Sequence, residues 1–167
     1  MKMLLNLLQS SDGVIILRAI QTLCKVVRSE AMKPCWIQFL ELILLKIIDS
    51  YRSNREVVTL IEHSIPKIAS VLPLDLSINI LNPVIATGEF PTNLCAVKIL
   101  TELASKQGEN FTEQHLDVIM PNIALLYLVM GEEKVKPKFS MLTGSKVRLL
   151  NVYINKFKGH NSQEKSS

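Results

Sequence analysis

Apolar residues recur along most of this chain at spacings of three and four, the period of a helix that buries one face. The clearest stripe lies in residues 57–72 and consists of Val57, Ile61, Ile65, Ile68 and Leu72. The preceding run, residues 36–51, is apolar on almost every side and therefore needs neighbours on several faces. A polar break at residues 52–55 separates the two runs. We predict an antiparallel helix pair, with Trp36 buried where this pair meets the preceding one.

The same pattern predicts a helix pair on either side of this central one. The helices cover residues 3–8 and 14–29 in the first pair and residues 75–87 and 92–105 in the third. Pro34 and Pro73 are predicted to end the first and second pairs, because proline cannot continue a helix. Pro66 and Pro83 should kink the helices that contain them.

The second helix of the third pair is predicted to begin with Thr92 as its N-cap. Five of its apolar side chains are predicted to face inward: Leu94, Val97, Leu100, Leu103 and Ala104. Lys98 and Glu102 lie four residues apart and are expected to share the solvated face.

The turns within the pairs are centred near residues 11, 53 and 89, which gives intervals close to the ~40-residue period of HEAT-type repeats. We therefore predict an all-α fold, an α-solenoid of HEAT-like antiparallel helix pairs, although a bundle of long helices could imitate this period. A fourth pair, residues 112–130, is predicted to be abbreviated and divided at Pro121. Residues 1–158 are predicted to form a single domain, followed by a disordered tail at 159–167.

Composition agrees with a folded helical domain. Apolar residues make up 48% of the chain and charged residues 20%, which argues against disorder. The apolar runs are interrupted before the ~20 residues that a membrane span needs, and no signal peptide is recognisable. We expect a soluble intracellular protein whose three cysteines, Cys24, Cys35 and Cys95, are buried free thiols.

No pattern indicates catalysis. His63, His115 and His160 are far apart and lack metal-ligand spacing, and there is no phosphate-binding glycine loop or nucleophile elbow. We therefore predict a protein that is not an enzyme and needs no metal or cofactor. Nucleic acid is not favoured as a partner, because no aromatic residues interleave with the basic ones.

Partner binding is the function that the pattern favours. In a stack of helix pairs the turns line up along one edge and hold exposed residues at fixed spacings. This edge should present Ser11, Asp12, Arg52, Arg55, Glu89 and Phe90, with Lys98 behind them. Residues 134–158 contain seven basic residues and no acidic one, and include Lys146 and Arg148 on a predicted last helix at 143–157. We predict Arg52, Arg55, Lys98, Lys146 and Arg148 as partner-contacting residues.

Three segments resemble one family of proteins. They are residues 55–58 (REVV), 88–98 (GEFPTNLCAVK) and 142–154 (LTGSKVRLLNVYI). All three are similar to the C-terminal domain of the cytoplasmic-linker-associated proteins, the CLASP family of microtubule regulators, and the similarity extends from about Leu4 to Phe157. Compared with that domain, the chain omits about one helix between Leu125 and Tyr127, which fits an abbreviated fourth pair.

The resemblance implies a TOG-like array of HEAT repeats that serves as a docking module. The implied partners are cytoplasmic linker proteins and kinetochore and plus-end proteins, and the implied location is the cytoplasm and cytoskeleton, at microtubule plus ends, spindle and kinetochores. Direct binding of tubulin by the turn edge is the alternative. A helical adaptor of the transport-receptor type ranks last, because no acidic groove is visible in the sequence.

Overall fold

The computed structural model describes residues 1–130 together with Val152 and Asn155. Every regular element in that part of the chain is a helix, which confirms the predicted all-α class. The α-helices are α1 (Lys2–Leu7), α2 (Gly13–Arg28), α3 (Lys33–Trp36), α4 (Leu40–Ser50), α5 (Arg55–Ala69), α6 (Leu74–Thr87), α7 (Thr92–Gln107) and α8 (Glu113–Met130). Short 3₁₀ turns lie at Glu30–Met32, Ile37–Phe39 and Gly108–Asn110. The chain divides into a unit that spans Met1–Phe111 and a second that begins at Thr112.

The helices of the first unit alternate between two layers. In the first layer α1 contacts α4 and α4 contacts α6, and in the second layer α2 contacts α5 and α5 contacts α7. Contacts between α1 and α2, α4 and α5, and α6 and α7 join the layers into three antiparallel pairs. Each pair covers one face of the next, so their buried side chains form one continuous core. This arrangement confirms the predicted stack of HEAT-like helix pairs.

The turns within the pairs lie where the polar breaks predicted them. Asp12 caps α2 by accepting a hydrogen bond from the Val14 N–H at 2.8 Å, and Asn54 caps α5 by accepting one from the Val57 N–H at 3.0 Å. The predicted cap of α7 is wrong by one residue. Pro91 occupies the N-cap, and Thr92 lies inside the first turn and donates its hydroxyl to the Glu89 carbonyl at 2.6 Å.

Pro34 begins a helix as well as separating two pairs. It occupies the first turn of α3, where the missing N–H of proline removes no intrahelical hydrogen bond. The 3₁₀ turn at Ile37–Phe39 then separates α3 from α4. The predicted continuous helix over residues 36–51 is therefore an interrupted one. Helices α5 and α6 do continue through Pro66 and Pro83, and the kinks there stay predictions.

Neighbouring helices cover the central helix α4 on several faces, as predicted. Trp36, Ile43 and Ile47 expose at most 2% of their surface, which confirms their predicted place in the core. Leu42 and Leu45, by contrast, expose 40% and 37%. The face of α4 that carries these two leucines, on the outward side of the first layer, is therefore left uncovered by the described part of the chain.

The buried face of α7 is turned slightly from the predicted one. Leu100 and Leu103 are buried as predicted, but Ala104 is exposed and Leu94 and Val97 are only half-buried. Three other apolar residues of α7, Cys95, Ala96 and Ile99, complete its buried face together with the polar Thr92 and Asn93. Helix α7 contacts both α5 and α6, so its core-facing surface is wider than a single stripe and is oriented by both neighbours.

The second unit begins with one long helix. Helix α8 runs without a break from Glu113 to Met130 and contains Pro121, so the predicted division at this proline is wrong. A proline within a helix can kink it without ending it. The predicted last helix at residues 143–157, with Lys146 and Arg148, lies outside the described residues apart from the exposed Val152 and Asn155. The predicted tail at 159–167 also lies outside them.

Candidate interaction site

The turns of the three pairs form one contiguous surface, which we call the turn edge: residues 8–13, 51–55 and 88–91. A Cβ atom on Gly13 would lie 2.6 Å from Nδ2 of Asn54. The first two turns are therefore so close that the Asn54 side chain would have to shift to admit a larger residue at position 13. Arg52 joins the second turn to the third, with its guanidinium 3.3 Å from the Glu89 carboxylate. These contacts place the turns side by side, as a stack of helix pairs predicts.

The turn edge exposes residue types that suit protein recognition. Arg55 is exposed and forms no ion pair with any residue in the described part of the chain. Phe90 exposes 64% of its surface, the most of any aromatic side chain whose burial is described. Arginine and aromatic residues supply much of the binding energy in protein interfaces. The Arg52–Glu89 pair is solvent-exposed and should contribute only about 0–1 kcal/mol to stability.

Lys98 lies behind the turn edge and is engaged within the chain. Its ammonium group donates to the Glu62 carboxylate and to the Tyr51 hydroxyl, the latter at 2.9 Å. Tyr51 in turn donates to Glu62 Oε1 at 2.5 Å, and Lys98 Nζ lies 5.5 Å from the centre of the Tyr51 ring. Lys98 and Glu102 are both half-buried, so the face that they share is only partly solvated. The contact of Lys98 with a partner stays a prediction.

Tyr51, Glu62 and Lys98 form a cluster in which each side chain shifts the pKa values of the others. Hydrogen bonds from Lys98 and then from Tyr51 lower the pKa of Glu62. Burial opposes the charge of Lys98, but its hydrogen bonds to Glu62 and Tyr51 outweigh that effect and raise its pKa. Burial, together with donation to Glu62, raises the pKa of Tyr51. The cluster therefore keeps Glu62 negative and Lys98 positive, and it ties α4, α5 and α7 together.

Replacing Glu62 with glutamine should lower the free energy of unfolding by less than about 1 kcal/mol at pH 7, because both charged side chains are 40% exposed. The lowered pKa of Glu62 means that its contribution is complete above its ordinary value of 4.5 and is lost as pH falls through the folded value. The raised pKa of Lys98 means that its contribution is complete below 10.5 and is lost as pH rises through the folded value.

Urea unfolding at neutral and acidic pH checks this expectation. The difference between the natural chain and Glu62→Gln should disappear in acid, where the natural Glu62 is itself protonated. Glu56→Gln is the matched control, since Glu56 is an exposed carboxylate of the same helix without an ion pair to a described residue. A stability difference that persists unchanged in acid would show that shape, and not charge, is responsible.

The thiols differ in exposure. Burial raises the pKa of Cys95 to about 12 and also raises the pKa of the half-buried Cys24, so neither is a ready nucleophile at neutral pH. Cys35 is exposed, and the prediction that all three thiols are buried is wrong there. Within the described residues, no group of three or more histidine, cysteine or acidic side chains could hold a metal ion.

Among the helices of the described residues, none combines the length and the apolar character required to cross a membrane.

Comparison with known proteins shows similarity to one group. No family model matches the chain. It is 51% identical over 175 residues to a CLIP-associating protein of Drosophila melanogaster, and this alignment covers 93% of the chain. It is 29% identical to CLIP-associating protein 1-B of Xenopus laevis and 28% identical to CLIP-associating protein 1 of Xenopus tropicalis, in each case over 99% of the chain. The chain spans about 12% of the length of these relatives.

Proposed function

Because the chain belongs to the CLIP-associating protein family, we propose that it is a non-enzymatic docking module that regulates microtubules. Its partners are cytoplasmic linker proteins, as the names of its relatives suggest, together with plus-end and kinetochore proteins. The module acts in microtubule dynamics and spindle organisation, in the cytoplasm and on the cytoskeleton. The turn edge holds the partner, with Arg52 and Arg55 as contacts and Lys98 behind them. Lys146 and Arg148 add basic contacts from the part of the chain beyond the described residues.

The observation that supports this proposal best is the continuity of the turn edge. Contacts between neighbouring turns hold Arg55 and Phe90 on one surface, and both side chains are free to meet a partner without unfolding any helix. Binding to such a preformed surface requires little ordering of the chain, so more of the contact energy remains as affinity. The described residues provide no comparable arrangement of catalytic groups.

Reversing two charges on the turn edge should remove capture of the partner. We expect Arg52→Glu with Arg55→Glu to weaken binding to the coiled coil of a cytoplasmic linker protein at least tenfold, a loss of about 1.4 kcal/mol. The measurement is a quantitative pull-down or surface plasmon resonance with the full chain. Unchanged affinity would overturn the assignment of this surface.

Two further variants separate a contact role from a change in the edge itself. Lys25→Glu with Arg28→Glu makes the same change in charge on the last turn of α2, far along the helix from the turn edge, and should leave capture intact. Arg52→Glu with Glu89→Arg exchanges the partners of the ion pair. If Arg52 serves only to pair with Glu89, this exchange should keep full affinity, and if it touches the partner, affinity should fall.

Direct binding of tubulin is the second candidate. It is favoured by the exposed Arg55, which has no ion pair to a described residue and could therefore meet an acidic surface on tubulin. Co-sedimentation of the chain with microtubules at increasing salt distinguishes the two functions. Salt-sensitive pelleting that Arg55→Glu abolishes would support tubulin contact. Absence of pelleting, together with capture of the linker-protein coiled coil, would support docking.

A further inference from the structure

An apolar groove lies on the outward face of the first layer, between α4 and α6. Its volume is about 500 Å³, within the range of recognition sites in proteins. Its lining includes Ile37, Glu41, Leu45, Leu76, Ile80 and Val84. Leu45 and Leu76 expose 37% and 50% of their surface at its rim. The groove lies on the outward face of the helices and not at their turns, although the carbonyl of Val84 in its lining accepts a hydrogen bond from the Gly88 N–H of the third turn at 2.9 Å.

The two layers of the first unit differ in the character of their outer faces. Large apolar side chains are exposed on all three helices of the first layer, at Met3 and Leu7 of α1, Leu42 and Leu45 of α4, and Leu76 of α6. In the second layer, exposed large apolar residues lie only in the first turn of α2, at Val14 and Ile15. The rest of that layer faces outward with polar residues such as Arg18, Thr59 and Thr101. A soluble surface rarely gathers apolar side chains on one face unless that face binds something.

The charges beside the groove indicate the chemistry of its occupant. Residues 37–45 and 76–84, which form the two walls, contain no lysine, arginine or histidine, although the chain as a whole carries a net charge of +4. The next residue of α4, Lys46, lies just beyond the lining. Glu41 is the single charged residue in the described lining. Glu41 forms no ion pair with any described residue. A basic side chain next to an apolar stripe would satisfy both features.

We propose that this groove binds an amphipathic helix of a partner protein, with an apolar stripe that packs on Leu45, Leu76 and Ile80 and a lysine or arginine that meets Glu41. The walls run along two neighbouring helices for about nine residues each, or about 13 Å, which accommodates about two and a half turns of a helix. The described walls offer no strand edge for an extended peptide, so recognition takes the helix-in-groove form. The inference goes beyond the docking function proposed above and does not require the turn edge to be a binding site.

A second copy of this chain is a poorer occupant. Two copies that paired through this face would bring identical surfaces together, because a two-fold interface is self-complementary. Each copy would contribute Glu41 and no basic residue from the lining, so the like charges would oppose association. A basic helix from another protein faces no such repulsion.

Two designed peptides test the proposal with the full chain. Both are fluorescently labelled helices with the same leucine stripe at spacings of three and four, one flanked by lysines and the other by glutamates. Fluorescence anisotropy should show that the lysine peptide binds at least tenfold more tightly. Leu45→Ser with Leu76→Ser should reduce that affinity at least tenfold, and thermal unfolding confirms that the variant is folded, as expected for two exposed positions.

Reversing the charge at position 41 shows whether Glu41 contacts the flanking lysines of the peptide. Glu41→Lys should lower the affinity for the lysine peptide and raise the affinity for the glutamate peptide. Glu56→Lys, the same change at an exposed position of α5, should alter neither affinity. Equal binding of both peptides, or no effect of the groove variants, would overturn the proposal. Sedimentation that reveals a dimer abolished by Leu45→Ser with Leu76→Ser would also overturn it, since the occupant would then be a second copy. Arg52→Glu with Arg55→Glu should not affect the peptides, so failure at either surface is separable.

Discussion

Replacing Trp36 with alanine should lower the free energy of unfolding of the Met1–Phe111 unit by about 3–5 kcal/mol. Trp36 exposes only 1% of its surface and ends α3, the helix that contacts α2 across the boundary between the first and second pairs. Alanine would leave a large cavity in a layer that the surrounding helices cannot close without moving. The loss should therefore exceed what the lost apolar surface alone would cause.

Phenylalanine at the same position separates packing from polarity. No described residue accepts a hydrogen bond from the Trp36 indole Nε1, so removal of that N–H should cost little. We expect Trp36→Phe to lose less than half as much stability as Trp36→Ala. Urea unfolding followed by far-ultraviolet circular dichroism measures both, since the chain has a single tryptophan and its fluorescence is lost in the variants. Met3→Ala, at an 80% exposed position, should stay within about 0.5 kcal/mol of the natural chain.

Aspartate at Ile43 should prevent stable folding of the first unit, with a loss of about 4 kcal/mol or more, whereas aspartate at the adjacent Leu42 should cost about 1 kcal/mol or less. Ile43 is fully buried, with 0% exposure, and a carboxylate there would have neither water nor a cation. Leu42 is 40% exposed, so its replacement can remain hydrated.

The contrast between these neighbours tests the orientation of α4 directly. Circular dichroism and urea unfolding should show a cooperative transition for Leu42→Asp and a largely unfolded chain for Ile43→Asp. Ile43→Val is the mild control at the buried position, with an expected loss of about 0.5–1.5 kcal/mol. If Leu42→Asp were as damaging as Ile43→Asp, the outward face of the first layer would be covered, and the groove beside it would not be available to a partner.

The helix pairs and their turns could be predicted because each follows from local chemistry. Val57 and Ile61 mark a stripe that a neighbouring helix must cover, and Asn54 caps its helix with an atom three residues away. Such signals lie within one turn of helix and survive in any fold that contains the segment. Burial of Trp36 was predictable for a related reason, since a large aromatic residue between two apolar runs has few alternatives to the core.

What could not be predicted depends on residues far apart in the chain. Lys98 pairs with Glu62 and Tyr51, which precede it by 36 and 47 residues, so the i,i+4 relation with Glu102 was a misleading guide. The groove between α4 and α6 likewise requires the packing of two pairs. The apolar character of Leu42 and Leu45 indicated burial, and only the packing of α4 showed that these side chains remain on the outside.

The two contacts that link neighbouring turns of the turn edge differ in how they depend on salt. The contact of Gly13 with Asn54 is steric and does not depend on dissolved ions. The link from Arg52 to Glu89 is an exposed pair of charges, whose attraction weakens as salt shortens the Debye length from about 8 Å at 0.15 M to about 3 Å at 1 M. Rising ionic strength should therefore weaken the link between the second and third turns and leave the link between the first and second unchanged. At high salt, a partner that bridges the second and third turns would bind a more mobile surface, whereas a partner that bridges the first and second turns would not.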